Sequence, residues 1–80
     1  MFEVIASSLL DGMWEERDVR MREVAGAPAW AGSGCGERTQ CWKVPSFQQA
    51  ADLAEKLRSV DGVEATIREA MSPQRRRRRG

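Results

Sequence analysis

"VPSFQQAADLAEKLRSVDGVEATIREA", residues 44–70, decides the fold because it predicts a helix followed by a strand. Ser46 can cap the helix, and Gln49 follows three residues later in a capping-box arrangement. Apolar side chains then recur at helical spacing and predict the buried stripe of this helix. The stripe consists of Phe47, Ala50, Ala51, Leu53, Ala54, Leu57 and Val60.

The helix is flanked by two strand-like stretches. Asp61 and Gly62 stop the helix, since glycine is free to adopt the left-handed conformation. The next stretch alternates apolar and polar residues, which predicts a strand with one buried face formed by Val63, Ala65 and Ile67. Upstream, "RTQCWKV" (residues 38–44) is also strand-like, with Trp42 and Val44 on one face and Cys41 and Lys43 on the other, and we expect Trp42 to fill the core. The C-terminal half therefore predicts a strand, helix, strand unit.

The N-terminal half begins with a strand-like stretch, residues 1–10, and then becomes ambiguous. As a helix, residues 11–28 have Asp11 as a cap, acidic residues in the first turns, basic residues near the end, and then glycine and proline as stop signals. The apolar stripe of this helix would consist of Leu10, Trp14, Met21, Val24 and Ala25. Alternatively, Asp11-Gly12 is a hairpin turn into a second strand. We favour the helix because its charges and terminators agree, whereas the strand alternation breaks after Met21.

With "APAW" (residues 27–30) as a short second strand and the glycine stretch as a hairpin, the order becomes strand, helix, strand, strand, helix, strand. This order resembles the ferredoxin-like fold. We expect one small α+β domain over residues 1–71 and a disordered, arginine-rich tail over residues 72–80. The hairpin interpretation predicts instead an antiparallel sheet with one helix packed across a face.

The junction "LRSVDGVEATI" (residues 57–67) is similar to the helix-to-strand junction of heavy-metal-associated domains. Those domains carry a Cys-x-x-Cys pair ahead of their helix, and the corresponding region of this chain has only Cys41. The resemblance therefore implies no copper site.

The sequence lacks the residues that several kinds of functional site require. The chain has no histidine and two cysteines, Cys35 and Cys41, whereas a structural zinc site usually takes four ligands. Gly32, Gly34 and Gly36 match neither a dinucleotide fingerprint nor a P-loop and favour a hairpin turn. No nucleophile, base and stabiliser can be assembled. We expect a protein that is not an enzyme and has no metal, cofactor or small-molecule substrate.

Charge is unevenly distributed along the chain. Of the 13 Lys and Arg residues, five lie at Arg75–Arg79, so residues 1–74 hold eight against all 12 acidic side chains, a net charge of −4. An acidic body joined to a basic tail favours a polyanionic partner, or a tail that docks on its own body.

The tail carries the first functional hypothesis. Guanidinium groups are always charged, fork onto phosphates and stack on bases. We expect a nucleic-acid-binding arm that contacts phosphates or a nucleoprotein assembly through Arg75, Arg76, Arg77, Arg78 and Arg79. The alternative for the same residues is a solvated end without a partner.

The second hypothesis is a protein-binding module. Small size, missing catalytic groups and uneven charge are similar in style to phage or mobile-element inhibitors such as anti-CRISPR proteins. Its interface would use the acidic body: Trp30, Glu15, Glu16 and Asp18. The three carboxylates are otherwise expected to form a solvated helix face.

No stretch approaches the about 20 apolar residues that span a bilayer. The N-terminus also carries Glu3 where a signal peptide has basic residues. We therefore expect a cytoplasmic protein with no membrane partner. In that compartment we favour free thiols at Cys35 and Cys41 over the alternative, one short disulfide across a hairpin.

Overall fold

The computed structural model describes residues 1–70, and the predicted tail, residues 72–80 with Arg75–Arg79, lies outside the described residues. Within the described residues six elements follow one another: β1 (Phe2–Leu9), α1 (Trp14–Ala25), β2 (Trp30–Gly34), β3 (Glu37–Val44), α2 (Phe47–Arg58) and β4 (Glu64–Glu69). This is the element order that the sequence predicts. The hairpin interpretation of residues 11–28 is wrong, because a helix of 12 residues occupies most of them.

The four strands form one antiparallel sheet in the order β2-β3-β1-β4. Val4 at the centre of β1 pairs with Trp42 of β3 on one side and with Ile67 of β4 on the other. Both helices pack on the sheet face to which these side chains belong, and Trp42 is buried there as predicted, at 4% exposure. The protein is thus a small α+β domain with two helices and a four-stranded antiparallel sheet.

Helix α2 forms as its sequence predicts, except in its first turn. The Ser46 hydroxyl oxygen accepts a hydrogen bond from the Gln49 backbone amide at 3.2 Å, which confirms the cap. Phe47, predicted to belong to the buried stripe, is 58% exposed. It lies at the end of the sheet, where its ring meets only the edge of the Phe2 ring, with 5.7 Å between centroids.

The glycine stretch forms the predicted hairpin into β3, but most of it is strand, and the prediction of the second strand at residues 27–30 is wrong. Strand β2 begins at Trp30 and runs through Gly34, so only Cys35 and Gly36 form the turn into β3. Both turn residues have positive φ angles, 53° and 78°. A two-residue turn of this kind matches the right-handed twist of the strands it joins, which is why the hairpin closes so tightly.

Candidate functional site

The side of the sheet away from α1 and α2, called the open face below, is covered by neither helix. Because side chains alternate along a strand, the register places its residues in four rows, with about 7 Å between rows. From one end of the strands to the other, the rows are Lys43, Glu3 and Arg68; Trp30, Cys41, Ile5 and Thr66; Gly32, Thr39, Ser7 and Glu64; and Gly34, Glu37 and Leu9.

The second row is the apolar part of the open face. Trp30 is 45% exposed and lies beside Cys41, which is fully buried although it points away from the helices. Burial raises the pKa of the Cys41 thiol, and the nearby Glu3 carboxylate raises it further. The thiol is therefore held neutral. The Trp30 ring lies against the thiol, and the exposed 45% of Trp30 remains available for contact.

The first row is an ion-pair network with a positive balance. Glu3 accepts a hydrogen bond from Arg68 Nε at 2.9 Å and forms an ion pair with Arg68 Nη2 at 2.7 Å. The Lys43 ammonium lies 4.0 Å from the other carboxylate oxygen. The Glu3 side chain is only 13% exposed, whereas both cations are at least half exposed. One carboxylate between two accessible cations leaves this end of the open face with a net positive charge.

The other end of the open face is acidic. Glu37 in the fourth row and Glu64 in the third are both exposed. Within residues 1–70, neither carboxylate forms an ion pair. The open face therefore carries a charge gradient along its strands, with the Trp30 row next to the positive end.

A second cluster lies on the opposite side of the sheet, between α1 and β3. The buried Asp18 carboxylate accepts hydrogen bonds from Arg38 Nε at 3.1 Å and from the Gln40 side-chain amide at 2.8 Å, and Arg38 Nη2 forms an ion pair with it at 3.0 Å. Arg38 also reaches the Ser33 hydroxyl at 3.1 Å and stacks 5.3 Å from the Trp14 ring centroid. This Asp18 network gives each of the three guanidinium nitrogens an internal partner and ties α1 to the sheet.

Sequence reasoning missed the Asp18 network because it placed Asp18 on a solvated acidic face. The signal was in β3, where Arg38 and Gln40 share the period-two alternation of the buried Trp42. Polar side chains at core positions of a strand require buried partners. Helix α1 is the element that supplies one.

The four residues proposed as a protein interface do not lie together. Trp30 belongs to the open face, Glu15 and Glu16 are exposed on α1 in the helical layer, and Asp18 is 8% exposed between helix and sheet. No single contact surface includes all four. The open face and the outer surface of α1 are separate candidates.

Two further findings concern residues 1–70. None of the helices there is long and apolar enough to cross a bilayer. Among the same residues, no group of three or more Cys, Asp or Glu side chains is placed to hold a metal ion.

The comparisons with known proteins agree with this architecture. No family model matches the chain, and no curated protein sequence matches it. The chain is similar to the crystal structure of protein Atu4242 from Agrobacterium tumefaciens, with a TM-score of 0.55 and 14% sequence identity. The similarity covers 89% of this chain and 94% of that chain. At this identity the similarity concerns the fold alone.

Proposed function

We propose that this protein is a non-enzymatic binding module whose Arg75–Arg79 segment contacts the phosphates of nucleic acid or of a nucleoprotein assembly. The observation that carries the proposal is the separation of charge between residues 1–74, at −4, and the five consecutive arginines. A cytoplasmic setting, in which Cys35 and Cys41 stay reduced, belongs to the same proposal.

The ion pairs of the folded body support this assignment. Arg17 pairs with Asp11 at 2.6 Å, Arg38 with Asp18 at 3.0 Å and Arg68 with Glu3 at 2.7 Å. Cations already bound to carboxylates attract phosphate weakly, because a phosphate would have to displace a partner. The longest run of arginines in the sequence is Arg75–Arg79, and no acidic residue interrupts it.

We also infer that the body has the ferredoxin-like fold. Three features support the inference: the order strand, helix, strand, strand, helix, strand; the sheet order β4-β1-β3-β2 counted from the other edge; and both helices on one face. Such a body would leave one sheet face free while the chain continues beyond β4 into the arginines.

Salt dependence tests the proposed arm. If all five arginines contact phosphates, the logarithm of affinity should fall against the logarithm of salt concentration with a slope of about −4.5 for duplex DNA or about −3.5 for single strands. Phosphate contacts carry no base information, so we expect little sequence preference.

The matched variants keep the chain length constant. Replacing residues 75–79 by five glutamines should abolish binding to generic DNA and RNA, whereas five lysines should retain much of it because the charge is kept. Fluorescence anisotropy at several salt concentrations measures both. Equal, negligible binding by the wild type and the glutamine variant would refute the proposal.

The exposed Trp30 ring favours a second candidate function, a protein-binding module of the phage-inhibitor type described above. In a pull-down, the variant with five glutamines should still recover the partner protein, and recovery should persist at high salt. Trp30→Ala should abolish the recovery. Recovery that depends on the arginines would contradict this second candidate.

A further inference from the structure

We propose that the open face is a homodimer interface, covered by the open face of a second copy. The two copies are related by a two-fold axis that crosses the strands at the level of Ala6. This inference goes beyond the proposed phosphate contacts and does not depend on them, because the arginine segment has no part in it. It assigns an occupant to the surface on which Trp30 lies.

Charge supports a second copy as the occupant. The Lys43 row and the Glu37 row lie three residues on either side of Ala6, about 10 Å away in each direction. A two-fold axis at that level exchanges the two ends, so Lys43 of each copy faces Glu37 of the other. A face with both signs at equal distances from its centre is complementary to itself.

The same charges disfavour nucleic acid on this face. The open face holds the carboxylates Glu3, Glu37 and Glu64 and the cations Lys43 and Arg68, so its net charge is −1. Phosphates approaching along the strands would meet two exposed glutamates that form no ion pair within residues 1–70. Affinity for nucleic acid depends on neutralising phosphates, so these carboxylates oppose it.

Shape supports the same axis. Because the axis preserves the order of the strands, Trp30 of one copy faces Gly32 of the other. A Cβ added at Gly32 would meet no atom within 4 Å, so the glycine leaves an open space on the surface rather than accommodating a close contact inside the monomer. A half-exposed tryptophan opposite such a space can bury the exposed part of its ring.

Size sets the expected strength. Four strands about 4.8 Å apart and four rows along them give a flat area of about 400 Å². This value does not include the additional accessible surface of protruding side chains. A stable interface of standard size buries about 800 Å² of accessible surface on each partner. The open face is smaller than that class and lies in the range of weak, transient interfaces, so we expect a dimer whose population depends on protein concentration.

Sedimentation velocity of the full chain, treated with nuclease, tests the proposal. The apparent mass should rise from 9.0 kDa towards twice that value between about 5 and 500 µM protein. Trp30→Ala and Gly32→Val should each weaken dimerisation at least about tenfold. Gly32→Val is the sharper variant, since the monomer has room for the side chain, and near-UV circular dichroism of dilute protein checks that it folds.

A charge exchange tests the orientation of the two copies. Lys43→Glu and Glu37→Lys should each weaken the dimer about fivefold or more, and the double variant should recover to within about threefold of the wild type. Val19→Ala, which removes an exposed apolar side chain from α1, is the control and should change nothing.

Three results would overturn the proposal. They are a wild-type mass of 9.0 kDa over the whole concentration range, a dimer indifferent to Gly32→Val, or a charge exchange without recovery. The variant with five glutamines at residues 75–79 separates this proposal from the nucleic-acid arm. It should dimerise like the wild type even though it no longer binds DNA.

Discussion

The two helices lie in one layer but are held on the sheet by different forces. The side chains that α2 buries are Ala50, Ala54 and Leu57, all at 0% exposure. The side chains that α1 buries are Asp18 and Met21. Small apolar residues let α2 approach the sheet closely, and its attachment is non-directional burial. Helix α1 depends on charged hydrogen bonds and one methionine.

The apolar contacts of α2 contribute mainly to stability, whereas the polar contacts of α1 mainly fix the position of that helix. Apolar burial tolerates small shifts, whereas the Asp18 carboxylate requires Arg38 and Gln40 at hydrogen-bond distance. A satisfied buried bond adds only about 0.5–1.5 kcal/mol, but leaving a buried partner unpaired costs about 1–3 kcal/mol. Helix α1 is therefore fixed in one position by contacts that add modestly to stability and are costly to break.

The largest expected effect comes from removing the apolar anchor of α2. Leu57→Ala should lower the free energy of unfolding by about 2–5 kcal/mol, because it removes a fully buried side chain and leaves a cavity. Urea denaturation followed by tryptophan fluorescence measures it. The exposed Val19→Ala should stay within about 0.5 kcal/mol of the wild type. An unchanged urea midpoint for Leu57→Ala would mean that the packing of α2 on the sheet is not the main source of stability.

The next effect concerns the polar anchor of α1. Asp18→Ala should cost about 3 kcal/mol, because it leaves Arg38 without its countercharge and Gln40 without an acceptor in a largely buried place. Asp18→Asn keeps an acceptor for Gln40 but no charge for Arg38, and should cost less. Equal losses in the two variants, measured by the same urea denaturation, would show that the Gln40 bond has no part in holding the helix.

The same contrast explains what the sequence could predict. The cap, stripe and stop signal of α2 are local, and each can be read within residues 46–62. The stripe predicted for α1 included Val24, which is 37% exposed, and omitted Asp18. Apolar periodicity cannot identify an inward-facing aspartate. Its partners lie 20 and 22 residues away and are brought near only by the sheet.

The open face shows a related limit. Alternation in β3 correctly placed Trp42 on the buried face and Cys41 on the other, but the sequence did not reveal which strands would lie side by side. The rows that join Trp30 to Ile5, or Lys43 to Arg68, exist only through the pairing of β2, β3, β1 and β4. Strand register is non-local information.

A smaller effect is expected at the start of α2. Ser46→Ala should cost about 1 kcal/mol, since the Gln49 amide loses its acceptor in the first turn. Ser46→Asp keeps a capping oxygen next to the positive end of the helix dipole and should restore stability. Equal destabilisation by both substitutions would show that the hydroxyl does not act as the cap.

The smallest effect lies ahead of α1 and depends on pH. The Asp11 carboxylate accepts hydrogen bonds from the Met13 backbone amide at 2.9 Å and from Arg17 at 2.6 Å, and these bonds lower the pKa of Asp11 in the folded protein. Because the folded pKa lies below the unfolded value of about 3.9, Asp11 adds stability above that pH and loses it as the pH falls through the lowered pKa.

Asp11→Asn removes this titration while keeping an oxygen that can accept the Met13 bond. The stability difference between wild type and variant should therefore be constant from pH 7 to about 5 and shrink towards pH 2. Urea denaturation of both proteins across this range measures the difference, and a nuclear magnetic resonance titration of the Asp11 carboxyl checks the lowered pKa directly. A stability difference independent of pH would mean that the negative charge of Asp11 does not strengthen its hydrogen bond with the Met13 amide. The contribution of charge to holding α1 would then come from the contacts of Asp18 alone.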